Sequence, residues 1–306
     1  MNTQSNTVPE APLGSQGIAP MVMQATRPLY WSIRRELWEN RSIYIAPLAV
    51  AAVTLFGFMI ASIGRALSEA DLAQRLHVLE EPYTFAMGVI MATAFIVALF
   101  YSLDALHGER RDRSILFWKS LPVSDLTTVL SKASIPLLLL PLLAFAIVVV
   151  TQVIMLLLST LVLRGSGLSA AALWTQSALF QTWLVLLYHL VTVHILWHAP
   201  LYAWLILVSG WARRAAFLWA LLPPVVIGVG EKMAFHTSYV FSFLEYRLNG
   251  GAEAVTMPGT FPIDPMMMSH LTPGRFLSTP GLWLGLIVAA AFLAAAVRLR
   301  RSQGPI

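Results

Sequence analysis

The chain has 306 residues, of which 58% are hydrophobic and only 11% are charged, with a net charge of +5. Soluble domains carry about 25% charged residues, so there is too little polar side chain here to cover a globule. The absence of cysteine excludes a disulfide framework, a thiolate nucleophile and a Cys-ligated metal.

The charges are clustered rather than spread. None lies between Ala133 and Leu163, and none between Gly165 and Ala212. Apolar runs beyond about 18 residues read as membrane-spanning helices. The basic residues sit at the ends of these runs and not in one stripe, which argues against nucleic-acid binding. The expected class is therefore an all-α, polytopic membrane protein.

Residues 1–27 are rich in Ser, Thr, Gln, Pro and Ala, without a basic region followed by an apolar core. They read as a disordered cytoplasmic tail, not a signal peptide. Residues 28–42 predict an amphipathic interfacial helix. Tyr30, Trp31, Ile33, Leu37 and Trp38 form its apolar side, with Tyr30, Trp31 and Trp38 as anchors in the lipid interface. Arg34, Arg35, Glu36, Glu39 and Asn40 are assigned to the polar side.

A six-helix transmembrane domain is expected over 43–298, with spans near 43–63, 85–103, 133–163, 177–208, 215–231 and 280–297. The third is longer than the ~30 Å apolar core, so it must tilt, project, or kink at Pro136 or Pro141. Residues 165–212 allow one crossing or two. One crossing, kinked at Pro200, puts Arg213, Arg214, Arg298, Arg300 and Arg301 on the inner side, as the positive-inside rule favours. The fifth span is expected to be broken at Pro223–Pro224 and followed by an outer re-entrant region. Both termini are then cytoplasmic, with 299–306 as a short tail. Fourteen of the 20 Lys and Arg fall inside.

No phosphate-binding loop is present, and none of Lys119, Lys132 and Lys232 follows a glycine. Any ATP must be hydrolysed by another polypeptide. His189, His194 and His198 are the only candidates for a metal or haem. Hydrogen-bonding groups in a kinked helix are the plainer reading, because no acid or Cys lies nearby in sequence.

Residues 104–132 form a charged island between two uncharged runs, with Glu109, Arg110, Arg111, Asp112, Arg113 and Lys119 around an apolar stretch Ile115-Leu116-Phe117-Trp118. Pro122 stops a short helix there, and Ser124 can cap the next. The run GERRDRSILFWKSLPVSDLTTVLSK resembles the cytoplasmic loop of ABC-2 type transporter permeases. Glu109-Arg110 matches its opening, Leu121-Pro122-Val123-Ser124 its turn, and Lys132 the return to the membrane. It departs at Arg113-Ser114, where many members carry Gly followed by Thr or Ser. The six-span layout from residue 28 onwards agrees with that family.

The resemblance implies the permease subunit of an ATP-driven exporter in the plasma membrane, a bacterial inner membrane in particular. It would work without a cofactor, as a dimer with an identical or homologous second permease chain and two separate ATPase subunits. Glu109, Arg110, Arg111, Asp112, Ile115, Leu116, Phe117, Trp118 and Pro122 would then form the contact with the ATPase. The substrate stays open. Two rival readings are an intramembrane metal or haem protein using the three histidines, and a scaffold or sensor subunit that transports nothing.

Overall fold

The computed structural model describes residues 26–63, 72–165, 179–248 and 273–304. Of the tail predicted over 1–27, residues 1–25 lie outside the described residues and the last two begin the first helix; most of the segment between the last two spans lies outside them as well. The described residues form helices and connections, with no strand among them. Among the described residues, six helices are long and apolar enough to cross a membrane. That is the composition and length expected of a multi-pass membrane protein.

Helix α1 (Thr26–Glu39) is followed by α2 (Ser42–Gly57), which continues as a π-helical turn to Ile63. Helix α3 (Leu72–Asp104) ends in the charged loop, which holds the short helices α4 (His107–Arg111) and α5 (Ile115–Ser120). Ser124 then caps α6 (Asp125–Ser134), its hydroxyl accepting the Thr127 amide at 3.0 Å as the sequence predicts. Helix α6 runs through a π-helical segment, Ile135–Leu139, into α7 (Leu140–Gly165). The third candidate span is accordingly Asp125–Leu161, 37 residues. It begins eight residues earlier than expected, and at 1.5 Å per residue it is about 55 Å long.

Helix α8 (Leu179–His189) continues as a π-helical turn to Trp197, breaks at His198, and resumes as α9 (Ala199–Trp211). The break falls two residues before Pro200, where the missing amide of a proline is tolerated in a first turn. Leu179 packs with Phe58, Tyr83, Met155 and Leu156 at one end of the bundle. Ser209 and Ala212 meet Leu106 and His107 at the other. The fourth segment therefore crosses the bundle once.

Helix α10 (Ala216–Phe235) departs from expectation. It is continuous through Pro223 and Pro224. Pro224 has no amide to offer the carbonyl of Ala220, four residues earlier. The indole Nε1 of Trp204 on α9 donates to that carbonyl instead, at 3.2 Å. The chain turns only after Phe235, at His236 with φ 55°, and folds back as α11 (Tyr239–Leu248). Glu231 closes this hairpin by accepting the Thr237 hydroxyl and the amides of Tyr239 and Val240. A short α12 (Pro273–Ser278) leads into the last span, α13 (Pro280–Ser302).

Helices α9 and α13 run side by side in the same direction. Leu282 packs with Val193 and Trp197, Ala289 with Ala199 and Ala203, and Ala296 with Ile206. Small residues fill the interior of the bundle: Ala51, Ala94, Ala98 and Ala144 sit in its central cluster. Large apolar residues such as Ile45, Val53, Phe56, Phe100, Leu218 and Ile287 face outwards. Close approach through small residues with bulky apolar groups outside is how helices associate in lipid.

If Trp204 holds the fifth helix together at Pro224, Trp204→Phe lowers stability by about 1 kcal/mol. In a Pro224→Ala background, where a backbone amide is restored, the same substitution costs much less. Thermal unfolding of the four proteins of this cycle in detergent gives the coupling.

Candidate functional site

The charged end of the bundle is organised around an acid that the sequence pattern places on the wrong side. Glu36, assigned to the polar face of α1, is 0% exposed. It lies three residues after Ile33 and one before Leu37, both of which pack against the core, so it shares their face. Its carboxylate accepts hydrogen bonds from Arg35 Nη2 at 2.6 Å, Tyr101 Oη at 2.8 Å and Lys132 Nζ at 2.9 Å.

Glu109 of α4 is the second acid, 7% exposed. It meets Arg35 at 3.0 Å, Lys132 at 3.2 Å and Arg300 of α13 at 3.3 Å. Arg300 also pairs with Asp125 at the start of α6. With Glu39, 3.6 Å from Arg35, four acids and three bases thus form one linked group. It ties α1, the charged loop and the last span to the head of the third span, and Tyr101 adds the second span.

Burial alone would raise the carboxyl of Glu36. The charges of Lys132 and Arg35, with hydrogen bonds from Lys132 and Tyr101, outweigh burial and hold it below the ordinary carboxylate value. Burial likewise opposes the charge on Arg35, but Glu36, Glu39 and Glu109 outweigh it and raise its affinity for the proton. Both groups are charged at neutral pH.

The other predicted loop residues divide into two sets. Arg110 is buried; its Nη1 donates to Gly210 O at 2.5 Å and to Ala212 O at 3.4 Å, capping the carbonyl end of α9. Ile115 is buried as well. Glu109, Arg110 and Ile115 are thus packed within the chain and support the loop from behind. Trp118 is half-buried, with the Arg35 guanidinium 3.9 Å from the centre of its ring. Leu116 and Phe117 point outwards, 60% and 59% exposed. Arg111, Asp112 and Pro122 are also exposed.

The α5 helix is anchored at its far end too. Lys119 Nζ donates to Gln303 O at 3.0 Å, just beyond α13. Before α5, Arg113 has φ 59°, a left-handed conformation that favours glycine.

Of the expected anchors of α1, Tyr30, Trp31 and Trp38 are all exposed. Arg34 lies over Trp31 and Trp38, at 5.2 and 4.8 Å from their ring centres.

The histidines have structural work. Leu140 N–H bonds to the carbonyl of Ile135, and Pro141 has no N–H, so the carbonyl of Pro136 lacks its helical partner. His194 Nε2 donates to it at 3.2 Å, with Tyr202 Oη 3.1 Å from the same nitrogen. His198 Nε2 donates to Leu248 O at 3.2 Å, fastening α11 to the break in the fourth span. His189 ends α8. Among the described residues, no group of three His, Cys, Asp or Glu could hold a metal ion.

What the sequence reading missed is the pairing of Glu36 with Lys132 and of Glu109 with Arg300. Lys132 immediately precedes a 31-residue uncharged run, and a lysine at such a margin invites a partner acid. Compared with known proteins, the chain matches no family model, no curated protein and no solved structure. What the fold defines is a class: an all-helical chain with six helices able to span a membrane and a buried ion network at one end.

Two outcomes test this end of the molecule. Glu36→Gln or Lys132→Met leaves a buried charge unpaired and lowers stability by about 3–5 kcal/mol. The Glu36 carboxyl is lowered on folding, so its contribution is whole above the unfolded glutamate value of about pH 4.3 and is lost as the pH falls through the folded value. The destabilisation by Glu36→Gln therefore shrinks in acid, which thermal unfolding followed from pH 5 down to about pH 2 reads. Arg113→Gly relieves the left-handed residue and raises stability by about 1 kcal/mol in the same assay.

Proposed function

We propose that the chain is the membrane-spanning subunit of an ATP-driven exporter of the ABC-2 permease type, working as a dimer with two separate ATPase subunits. The observation that carries this reading is the way α5 is mounted. A short helix presents Leu116 and Phe117 outwards from between the second and third spans. Behind it, Ile115 is buried and Trp118 is stacked on Arg35, whose charge belongs to the same ion group as Glu36 and Lys132. A merely solvated loop has no need of such support. A partner that moved Leu116 and Phe117 would move α1 and the second, third and sixth spans together.

Further features support it. The end bearing Arg35, Arg110, Lys132 and Arg300 is the cytoplasmic end by the positive-inside rule, which puts both termini in the cytoplasm. The plasma membrane, a bacterial inner membrane in particular, follows from the resemblance to the permeases. The α10–α11 hairpin then turns at the outer side, and α11 dips back as a re-entrant helix. Arg113 stands where many of the resembling permeases carry Gly, and its positive φ gives that preference a cause. Helix α1 lies in the interface with Tyr30, Trp31 and Trp38 towards lipid.

The test is affinity purification in mild detergent with identification of bound chains and an ATPase assay. A stoichiometric partner with a phosphate-binding loop is expected. Leu116→Glu with Phe117→Glu should reduce its retention tenfold or more, since burying an unpaired carboxylate in an apolar contact costs several kcal/mol, and should leave the thermal stability of the chain unchanged. Undiminished retention by this variant overturns the coupling role, and a chain that purifies alone favours a scaffold.

A further inference from the structure

A second concentration of polar atoms lies away from the charged end, where α11 meets the break in the fourth span. Trp197 precedes Trp211 by fourteen residues, so the site is about 20 Å of helix from that end. Arg247 projects from the last turn of α11 into a groove on α13 formed by Gly281 and Gly285. Its Nη2 donates to Gly281 O at 2.5 Å. A Cβ on Gly285 would lie 2.7 Å from both Nη1 and Nη2, so the guanidinium occupies the space that this glycine leaves. The face of the guanidinium rests on Trp197, 4.5 Å from the ring centre.

Arg247 has no carboxylate partner among the described residues, unlike Arg35 or Arg300. Its Nη1 is enclosed by protein without an acceptor. The same is true of Trp197 Nε1, which can only donate, and His198 Nδ1 is likewise enclosed and unpaired. A buried donor left without a partner costs about 1–3 kcal/mol, and more if charged. A cation within a membrane-spanning bundle is retained where something answers its charge. Beside it, Phe243, Leu248, Leu277 and Leu284 are exposed and apolar.

We propose that Arg247 and Trp197 form a binding site for the anionic oxygen headgroup of an amphiphile, a phosphate in the first instance, with the acyl chain lying over these apolar side chains. Arg247 supplies the charge, and a shift of its guanidinium from the enclosed position frees Nη1 and Trp197 Nε1 to donate to the headgroup. The Gly281 and Gly285 face lets the guanidinium sit deep enough to stack on the indole. This assignment does not depend on the transporter reading, since a lipid bound for structure and a lipid bound as cargo need the same chemistry.

The purified full chain in maltoside micelles is titrated with dioleoyl phosphatidic acid and with the matched phosphatidylcholine, and bound lipid is counted by native mass spectrometry. Phosphatidic acid should bind at one site in preference to phosphatidylcholine. Arg247→Gln should weaken that binding about tenfold or more, as expected for one hydrogen bond to a charged group. Gly285→Ala keeps the arginine and suits a helix, but it displaces the flexible guanidinium, so it should also weaken binding with the fold intact. Competition by millimolar inorganic phosphate identifies the phosphate group itself as sufficient, whereas no competition identifies the lipid as the source. Wild-type affinity for phosphatidic acid in both variants, or no preference over phosphatidylcholine in the wild type, overturns the proposal.

Discussion

The contact between Glu36 and Lys132 is the constraint on which the charged end depends. Neither residue is near the other in sequence, and neither tolerates burial alone. Lys132 is 3% exposed and heads an uncharged run; Glu36 stands in the apolar stripe of α1. Each is admissible only because the other is there. Burying an ion pair gains little net stability against an apolar substitute, but removing one partner is expensive. The network therefore works as a registration device. Apolar packing would let α1 slide or rotate along the bundle surface, whereas a carboxylate held by three donors fixes its angle and depth.

The same accounting applies within the bundle, where the unpaired groups are backbone carbonyls. Pro141 and Pro224 each remove an amide. In an apolar interior, each freed carbonyl needs a substitute donor. His194 serves Pro136 and Trp204 serves Ala220. Two histidine ring nitrogens are thereby engaged, His194 Nε2 in repairing a helix and His198 Nε2 in tying α11 to the fourth span. In the fifth helix, Trp204 keeps the freed Ala220 carbonyl satisfied where two prolines adjoin.

These cases show what was legible in the sequence. The six apolar segments, the cap at Ser124, the stop at Pro122 and the exposure of Tyr30, Trp31 and Trp38 depend on local composition and spacing, and all could be read directly. The single crossing of residues 179–211 followed from charge placement. Helix α5 was expected around Ile115–Trp118, because four apolar side chains inside a charged loop have few alternatives. The burial of Glu36, Glu109 and Arg110 was not legible, for one shared reason. Charge in a sequence is read as exposure, and exposure is decided by partners tens to hundreds of residues away. Arg300 lies 191 residues from Glu109. Arg247 escaped notice similarly, because its setting is made by two glycines and a tryptophan on other helices.

The distribution of order has a mechanical consequence. The second, third, fourth and sixth spans share buried small-residue contacts, and the ion network locks the ends of the second, third and sixth together. Helix α10 is different: Phe217, Leu218, Leu221, Leu222, Val225, Val226 and Val229 are exposed along it. It is held by Trp204 on one side and by its own hairpin partner on the other, with His198 gripping the end of α11. A force applied at Leu116 and Phe117 would enter the rigid group first, through Arg35 and Glu109, and would reach α10 and α11 only through the broken fourth span. Trp197 and His198 stand at that break, between the locked end and the hairpin. In the proposed permease, a displacement at the cytoplasmic end would be felt at the outer hairpin through these two residues, because His198 and Arg247 join α11 to the fourth and sixth spans there.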